Sequence, residues 1–261
     1  DNARAMADLV SLLAGAGRAD EAVTLSGEFL GRHPGERLVL AARSVALRDA
    51  GRGEEARALV DLERLVFVRE PAVPRGYRDF AAFNAGLADC LLRDPSLMQS
   101  PLTKATRGGA QTGELDPDSS PALRALKELL DAEIRAVVGS LGKSGFDDHP
   151  VMAWASKRWT LRMWGTVLRA GGHQLPHLHP LAWLSGVYYV QVPPMSGDDG
   201  ALEFGEPPPR VRARTEPDRR RVRPVPGRLV MFPSWFWHRT LPFDQAGERI
   251  SIAFDVIPAE T

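Results

Sequence analysis

The sequence predicts an α+β protein, in which a short all-α segment of repeated helix pairs precedes a β-rich sandwich or jelly roll. Three observations carry that expectation. The string Ala16-Gly17-Arg18-Ala19-Asp20-Glu21-Ala22 returns as Ala50-Gly51-Arg52-Gly53-Glu54-Glu55-Ala56, an offset of 34 residues. The stretch Pro71-Ala72-Val73-Pro74-Arg75-Gly76 interrupts the helical texture. Beyond residue 155 short runs of β-branched and aromatic residues alternate with proline and glycine, a density of strands and turns that does not suit βαβ units.

Taken in order, Met6 to Leu13 and Leu38 to Leu47 are apolar at helical spacing. Each is followed by a Gly-Arg turn and by a second helix that starts beside acidic residues, as the helix dipole favours. A period of 34 residues is that of tetratricopeptide-like helix pairs, and Pro34-Gly35 separates the first pair from the second. Two pairs are few for a solenoid, so they are expected either to stack on the next domain of the chain or to be what truncation leaves of a longer array upstream. The expected division is residues 1–70 for the helical repeats and 71–261 for the second domain. Within the latter, helices at Phe80 to Leu92 and Ala122 to Leu141 form a helical support over 78–141, joined by a polar, Gly-rich loop from Thr103 to Ser120. Strands are expected at Trp159 to Leu168, Trp183 to Val192, Leu202 to Phe204, Arg228 to Phe232 and Arg249 to Val256, placing the roll at about 155–258. Arg210 to Arg223, with seven arginines, reads as a solvated loop between strands, or else as a substrate lip gripping an acidic peptide or nucleic acid.

Composition narrows the function classes. The 33 basic and 33 acidic residues cancel, so no global field draws the chain to nucleic acid or an anionic membrane. Cys90 is the single cysteine, which excludes an internal disulfide and suits a reducing, cytoplasmic setting. No apolar run approaches the roughly 20 residues of a membrane span. The chain starts at Asp1 without a methionine, which leaves open a trimmed or processed product and an upstream targeting segment. Cys90 lies on an apolar helix pattern and no Gly-x-Ser-x-Gly elbow, P-loop or dinucleotide fingerprint is present, so nucleophilic and nucleotide chemistry are poorly supported.

The chemistry concentrates in Gly171 to Val192, GGHQLPHLHPLAWLSGVYYVQV. Alternation in an extended segment sends His177 and His179 to one face. His238 follows Phe236 and Trp237 after another strand-like run, and Arg249 stands eleven positions on, in Arg249-Ile250-Ser251. Three imidazoles can occupy three adjacent corners of an octahedron and leave the opposite face open for a bidentate ligand and O₂. An arginine and a serine on one strand face beyond the last ligand can hold the far carboxylate of a diacid.

At these residues the chain resembles the 2-oxoglutarate/Fe(II)-dependent oxygenases, whose usual pattern is His-x-Asp/Glu, a long gap, a second His, then about ten residues and an Arg, often as Arg-x-Ser. It looks most like a bacterial branch with N-terminal tetratricopeptide-like repeats, in which His-x-His-Pro precedes a Ser-Gly-Val-Tyr-Tyr strand; both strings are present here. The likeness runs roughly from Tyr77 to Val256 and takes in Thr106-Arg107-Gly108-Gly109-Ala110-Gln111-Thr112. It implies a double-stranded β-helix (jelly roll, cupin-like) domain, with Fe(II) held by His177, His179 and His238, 2-oxoglutarate as cosubstrate with its distal carboxylate on Arg249 and Ser251, and O₂. In prolyl-hydroxylase-like relatives the second tyrosine of the Tyr-Tyr pair and a hydroxyl residue four before it approach the cosubstrate carboxylate, which corresponds to Tyr189 and Ser185. Alternation groups Ser185, Val187, Tyr189 and Gln191 on one face.

One position departs from the superfamily pattern, since His179 stands where a carboxylate ligand would fall. A neutral imidazole there raises the charge of the iron site by one unit. If His179 turns away, Glu203, Asp255 or water are the alternatives. His173 reads as a loop residue, His33 and His149 as surface residues beside prolines, and Trp235 and Trp237 as rim packing or an aromatic wall for substrate. The resemblance implies a hydroxylase releasing succinate and CO₂, and helical repeats beside it suggest a protein, peptide or amino-acid substrate. Two alternatives stand: a three-histidine cupin dioxygenase that needs no 2-oxoglutarate, and a non-catalytic helical-repeat adaptor with a vestigial barrel.

Overall fold

A computed structural model describes residues 2–99, 104–155 and 158–259 of the protein. Two Gly-Arg turns build its N-terminal part. Helices α1 (Ala3–Gly15) and α3 (Arg37–Asp49) each end at a glycine in the left-handed region, Gly17 at φ 81° and Gly51 at φ 75°. The next amide reaches back across the end of each helix, Arg18 to the Leu13 carbonyl at 2.9 Å and Arg52 to that of Leu47 at 2.8 Å, satisfying carbonyls the helix leaves open. Arg18 and Arg52 then pair with Glu21 and Glu55 in the first turns of α2 (Ala19–Arg32) and α4 (Gly53–Leu59), so the echo in the sequence is an echo in structure. The short α5 (Leu62–Leu65) follows.

The chain then enters a sheet sooner than expected. Strand β1 (Phe67–Arg69) pairs with β8 (Leu229–Pro233), ahead of the boundary at 71. The sheet runs β1-β8-β5-β10-β4-β9-β6-β7, and every pairing is antiparallel. Its spine is β4 (Trp159–His177), which pairs with β10 (Arg249–Pro258) through its first half and with β9 (His238–Thr240) through its last residues. Gly171, at φ 78°, and a register shift before His177 bend β4 between the two, and the strands curl into a jelly-roll-like barrel. β5 (Leu184–Gln191), β6 (Leu202–Phe204) and β7 (Arg220–Val222) complete it.

Helices α6 (Phe80–Leu92) and α7 (Pro121–Leu141) lie on the outer sheet face. Outward Tyr188 donates to Asn84 at 2.8 Å, and any side chain larger than glycine at 165 would strike Leu91, with a Cβ contact of 2.4 Å. Buried Glu203 accepts from Arg221 and Arg239 on its two neighbouring strands at 2.6 and 2.7 Å. Burial alone would push its carboxyl up, but those two hydrogen bonds more than offset it and hold the group below its usual range.

Several expectations need correction. The loop expected from Thr103 to Ser120, of which Thr103 lies outside the described residues, contains β3 (Thr106–Gln111), paired with both β4 and β2 (Met98–Gln99). Polar strands with glycine lack the alternation that marks a half-buried strand. The segment from Arg210 to Arg223 is no merely solvated loop. Arg219 binds Glu206 and Glu216, Arg220 donates to the carbonyls of Leu62, Glu63 and Val66, and Asp49 accepts from the amides of Arg214 and Thr215. Arg220 and the amides held by Asp49 tie the segment to the helices, while Arg219 is neutralised by acidic residues of the barrel side. His149 is half-buried against Trp235 and not a surface residue; His173 lies on β4, not in a loop.

Candidate metal and diacid site

Register brings the three histidines together. His177 closes β4 and stands opposite His238, the first residue of β9, with ring centroids 4.3 Å apart. His179 lies two residues past the end of β4, where its amide donates to the Ser234 carbonyl at 3.0 Å. One ring nitrogen from each histidine lies within 4.8 Å of those of the other two. The extended turn thus places His177 and His179 as alternation predicts, although only the first is within a strand.

Each imidazole is held in one tautomer. Nδ1 of His177 meets the Leu175 carbonyl at 2.7 Å, Nδ1 of His238 meets that of Phe236 at 2.9 Å, and Nδ1 of His179 meets the Asp255 carboxylate at 2.9 Å. Because every Nδ1 faces an acceptor, each carries the proton and leaves Nε2 with its lone pair. Burial, and then the neighbouring His179, push His177 down to about 3; burial, followed by the nearby His177 and His179, also drives His238 well below its usual value. Neutral rings with inward lone pairs are the donor set a borderline divalent cation requires. Trp164 stacks on His179 at 19°, and Phe232 meets His238 edge-on at 4.7 Å.

The histidines line a cavity of about 290 Å³ whose floor is β10, with Arg249, Ser251, Ala253 and Asp255 on one face. Arg249 is 2% exposed, and no carboxylate pairs with it among the described residues. Its guanidinium donates from one Nη to Ser251 Oγ at 3.3 Å, while Nε is buried without a partner. Burial lowers its pKa, which a facing anion would reverse. Around it lie two further buried hydroxyls, that of Thr166, which has no hydrogen-bond partner among the described residues, and that of Tyr189, which lies beside the guanidinium. Thr166 is the register partner of Ser251 on β4, and the Tyr189 ring lies 5.0 Å from the guanidinium carbon. Of these groups Arg249, Ser251 and Thr166 line the cavity, a set of donors that can hold an oxyanion.

The candidate residues therefore separate. His177, His179 and His238 gather at one end, and Arg249, Ser251 and Tyr189 at the other. Tyr189 sits behind Arg249, outside the cavity lining. Ser185 is placed apart from them, opposite Asp255, to which it donates at 2.6 Å. An extra residue in β5, Val190, shifts the register against β10, so Gln191 is exposed while Tyr189 is buried, and the alternation read from Ser185 ends at Tyr189. Glu203, an alternative third ligand, is committed to Arg221 and Arg239. Asp255 contacts His179 from outside the three-histidine group. Sequence reasoning missed Thr166 and Trp164; alternation along β4, which puts Arg162, Trp164 and Thr166 on the cavity face, was the signal that could have found them.

No curated protein sequence matches the chain. Residues 162–255 match the family model described as "Putative 2OG-Fe(II) oxygenase". Among solved structures, a prolyl-4-hydroxylase from Pseudomonas putida is similar at 19% identity and TM-score 0.52, over 78% of this chain and 98% of that one. A prolyl hydroxylase from Trichoplax adhaerens, in complex with a hypoxia-inducible-factor peptide fragment, is similar at 14% identity and TM-score 0.52, over 81% and 93%. HygX from Streptomyces hygroscopicus, with nickel and 2-oxoglutarate bound, shares 14% identity at TM-score 0.50, over 78% and 87%. At such identities these likenesses show the double-stranded β-helix fold. The family match spans the segment that carries His177, His179, His238 and Arg249, and that segment is similar to the 2-oxoglutarate/Fe(II)-dependent oxygenases, enzymes with Fe(II) as cofactor and 2-oxoglutarate as cosubstrate.

Proposed function

We propose that the chain is a hydroxylase in which Nε2 of His177, His179 and His238 hold Fe(II), and Arg249 with Ser251 and Thr166 receives the distal carboxylate of 2-oxoglutarate. One observation carries this reading: a fully buried arginine with an open Nε and no carboxylate partner among the described residues lies on the floor of the cavity that gathers three neutral imidazoles. A dioxygenase that binds its substrate directly to iron has less need of that cation. When bound, the iron supplies activation of O₂, coupled to decarboxylation of 2-oxoglutarate to succinate and CO₂ and to insertion of one oxygen atom into a substrate C–H bond. The protein's residues bind and orient. Arg249 fixes one end of the diacid by a charge-assisted fork, and Trp164 and Phe232 hold the imidazoles and keep water from them.

We assign the substrate to the protein, peptide or amino-acid class. Support comes from the fold shared with two prolyl hydroxylases, one of them carrying a peptide, and from a rim at Lys104, Arg162 and Glu114 whose paired charges suit a polar chain. The helical repeats, if they hold a partner, would add to such a grip.

Anaerobic addition of Fe(II) and 2-oxoglutarate should produce the weak visible charge-transfer band of the chelate. Arg249→Ala should leave Fe(II) binding near wild type and raise the 2-oxoglutarate requirement by about 30- to several-thousand-fold, the effect of roughly 2–5 kcal/mol for an unpaired buried charge. Arg249→Lys should recover part of it, because a point charge cannot reproduce the fork. An unchanged requirement in Arg249→Ala would move the diacid elsewhere.

A further inference from the structure

A centre of three neutral imidazoles carries one negative charge fewer than a centre with two imidazoles and a carboxylate. The structure contains a carboxylate one hydrogen bond further out. Both oxygens of Asp255 approach Nδ1 of His179, at 2.9 and 3.1 Å, and each side chain is 14% exposed. Ser185, the register partner of Asp255 on β5, donates to Oδ1 at 2.6 Å. No lysine or arginine pairs with Asp255 among the described residues, so its charge is directed at His179. Trp164, stacked on the other side of that ring, prevents it from swinging out of the hydrogen bond.

Resting on the proposed metal site, we infer that Asp255 is a positioning residue. It holds His179 as the Nδ1–H tautomer and returns to the metal centre, through the ring, the negative charge that the His-x-His motif lacks. A carboxylate accepting the Nδ1 proton makes the opposite nitrogen more basic, so the gain appears as metal affinity. Ser185 acts one step further back by fixing the carboxylate. This gives the hydroxyl a task at the metal end of the cavity, six strand positions from Arg249 along β10 at Asp255, roughly 20 Å.

The test is anaerobic titration of the whole metal-free protein with Co(II), followed by its visible spectrum, for wild type, His177→Ala, Asp255→Asn and Asp255→Ala. Asp255→Asn keeps the shape and an acceptor but removes the charge; its Co(II) dissociation constant should rise about ten-fold, and that of Asp255→Ala about 100-fold, the span that such outer partners command. The metal-free melting temperature of Asp255→Asn should stay near wild type. Adding His179→Asp to Asp255→Asn moves the charge back to the inner position and should tighten Co(II) binding again; in the wild-type background the same change sets two carboxylates side by side. Wild-type Co(II) affinity in both Asp255 variants, with or without a lower melting temperature, would reduce Asp255 to a structural brace and overturn the inference. If wild type and His177→Ala bind Co(II) equally poorly, the metal site itself fails, which is a different pattern.

Discussion

Thr166 illustrates how an unsatisfied atom can report a ligand. Its hydroxyl is buried with no hydrogen-bond partner among the described residues, beside Ser251 on the neighbouring strand, and such a group costs stability unless something else uses it. Thr166→Val is nearly isosteric and removes the orphan. Two effects of opposite sign are expected: the 2-oxoglutarate-free protein gains about 1 kcal/mol in thermal or chemical unfolding, and 2-oxoglutarate binding weakens about five- to ten-fold. Stabilisation without any loss of affinity would remove Thr166 from the cradle. The three histidines and Arg249 were legible in the sequence because their spacing is fixed by strand register. Thr166 and Trp164 share an alternating face with Arg162, but which face of β4 turns inward is set by its pairing with β10, so a hydroxyl and an indole there drew no notice in the sequence. The place of Ser185 was not legible either, because its partner Asp255 is distant in the chain and adjacent only through pairing.

At the scale of elements, the junction between α4 and the turn Pro150–Trp154 depends on a neutral histidine. His149 accepts from the Val151 amide at Nδ1, 3.1 Å, which obliges Nε2 to carry the proton and donate to the Leu59 carbonyl at 3.2 Å. Burial, against the pull of the Leu59 and Ala58 carbonyls, lowers its pKa from the usual 6.5. Below pH 6.5 the unfolded chain takes up the proton first, so the contribution is fully present above about 6.5 and is lost as pH falls from there toward the lower folded value. Unfolding measured at pH 8 and pH 5 should therefore show acid destabilisation that is smaller in His149→Gln. Equal pH slopes in the two proteins would mean that the ring titrates freely. Helices α1, α3, α6 and α7 were legible to within a turn because apolar spacing and caps are local. The short strands β1, β3, β7 and β9 were not, for each is only two or three paired residues or a polar run whose identity comes from its neighbour.

Across the whole molecule, the helical segment and the barrel share more than a seam. Arg37 of α3 donates to the Ala182 carbonyl at 2.9 Å, in the turn that comes after His179, and stacks on Trp154 at 4.2 Å. β1 covers the edge of β8. A fragment starting at residue 71, the boundary expected from the sequence, loses both and leaves the β8 edge free to pair with other copies. It should self-associate in size-exclusion chromatography with light scattering, whereas a fragment starting at 62, with β1 retained, should do so less. A fragment from 71 with the full-length particle mass per chain and Co(II) affinity would show that the barrel is autonomous. The sheet order also bears on synthesis. The strand at the heart of the barrel, β10, comes last in chain order among the described strands, and it fits between β4 and β5. Until it leaves the ribosome, those two strands present bare edges with nothing between them. With about 65 residues separating the end of β5 from the end of β10, translation at about 5–20 residues per second leaves that gap open for roughly 3–13 seconds, the interval in which the nascent chain most needs a chaperone.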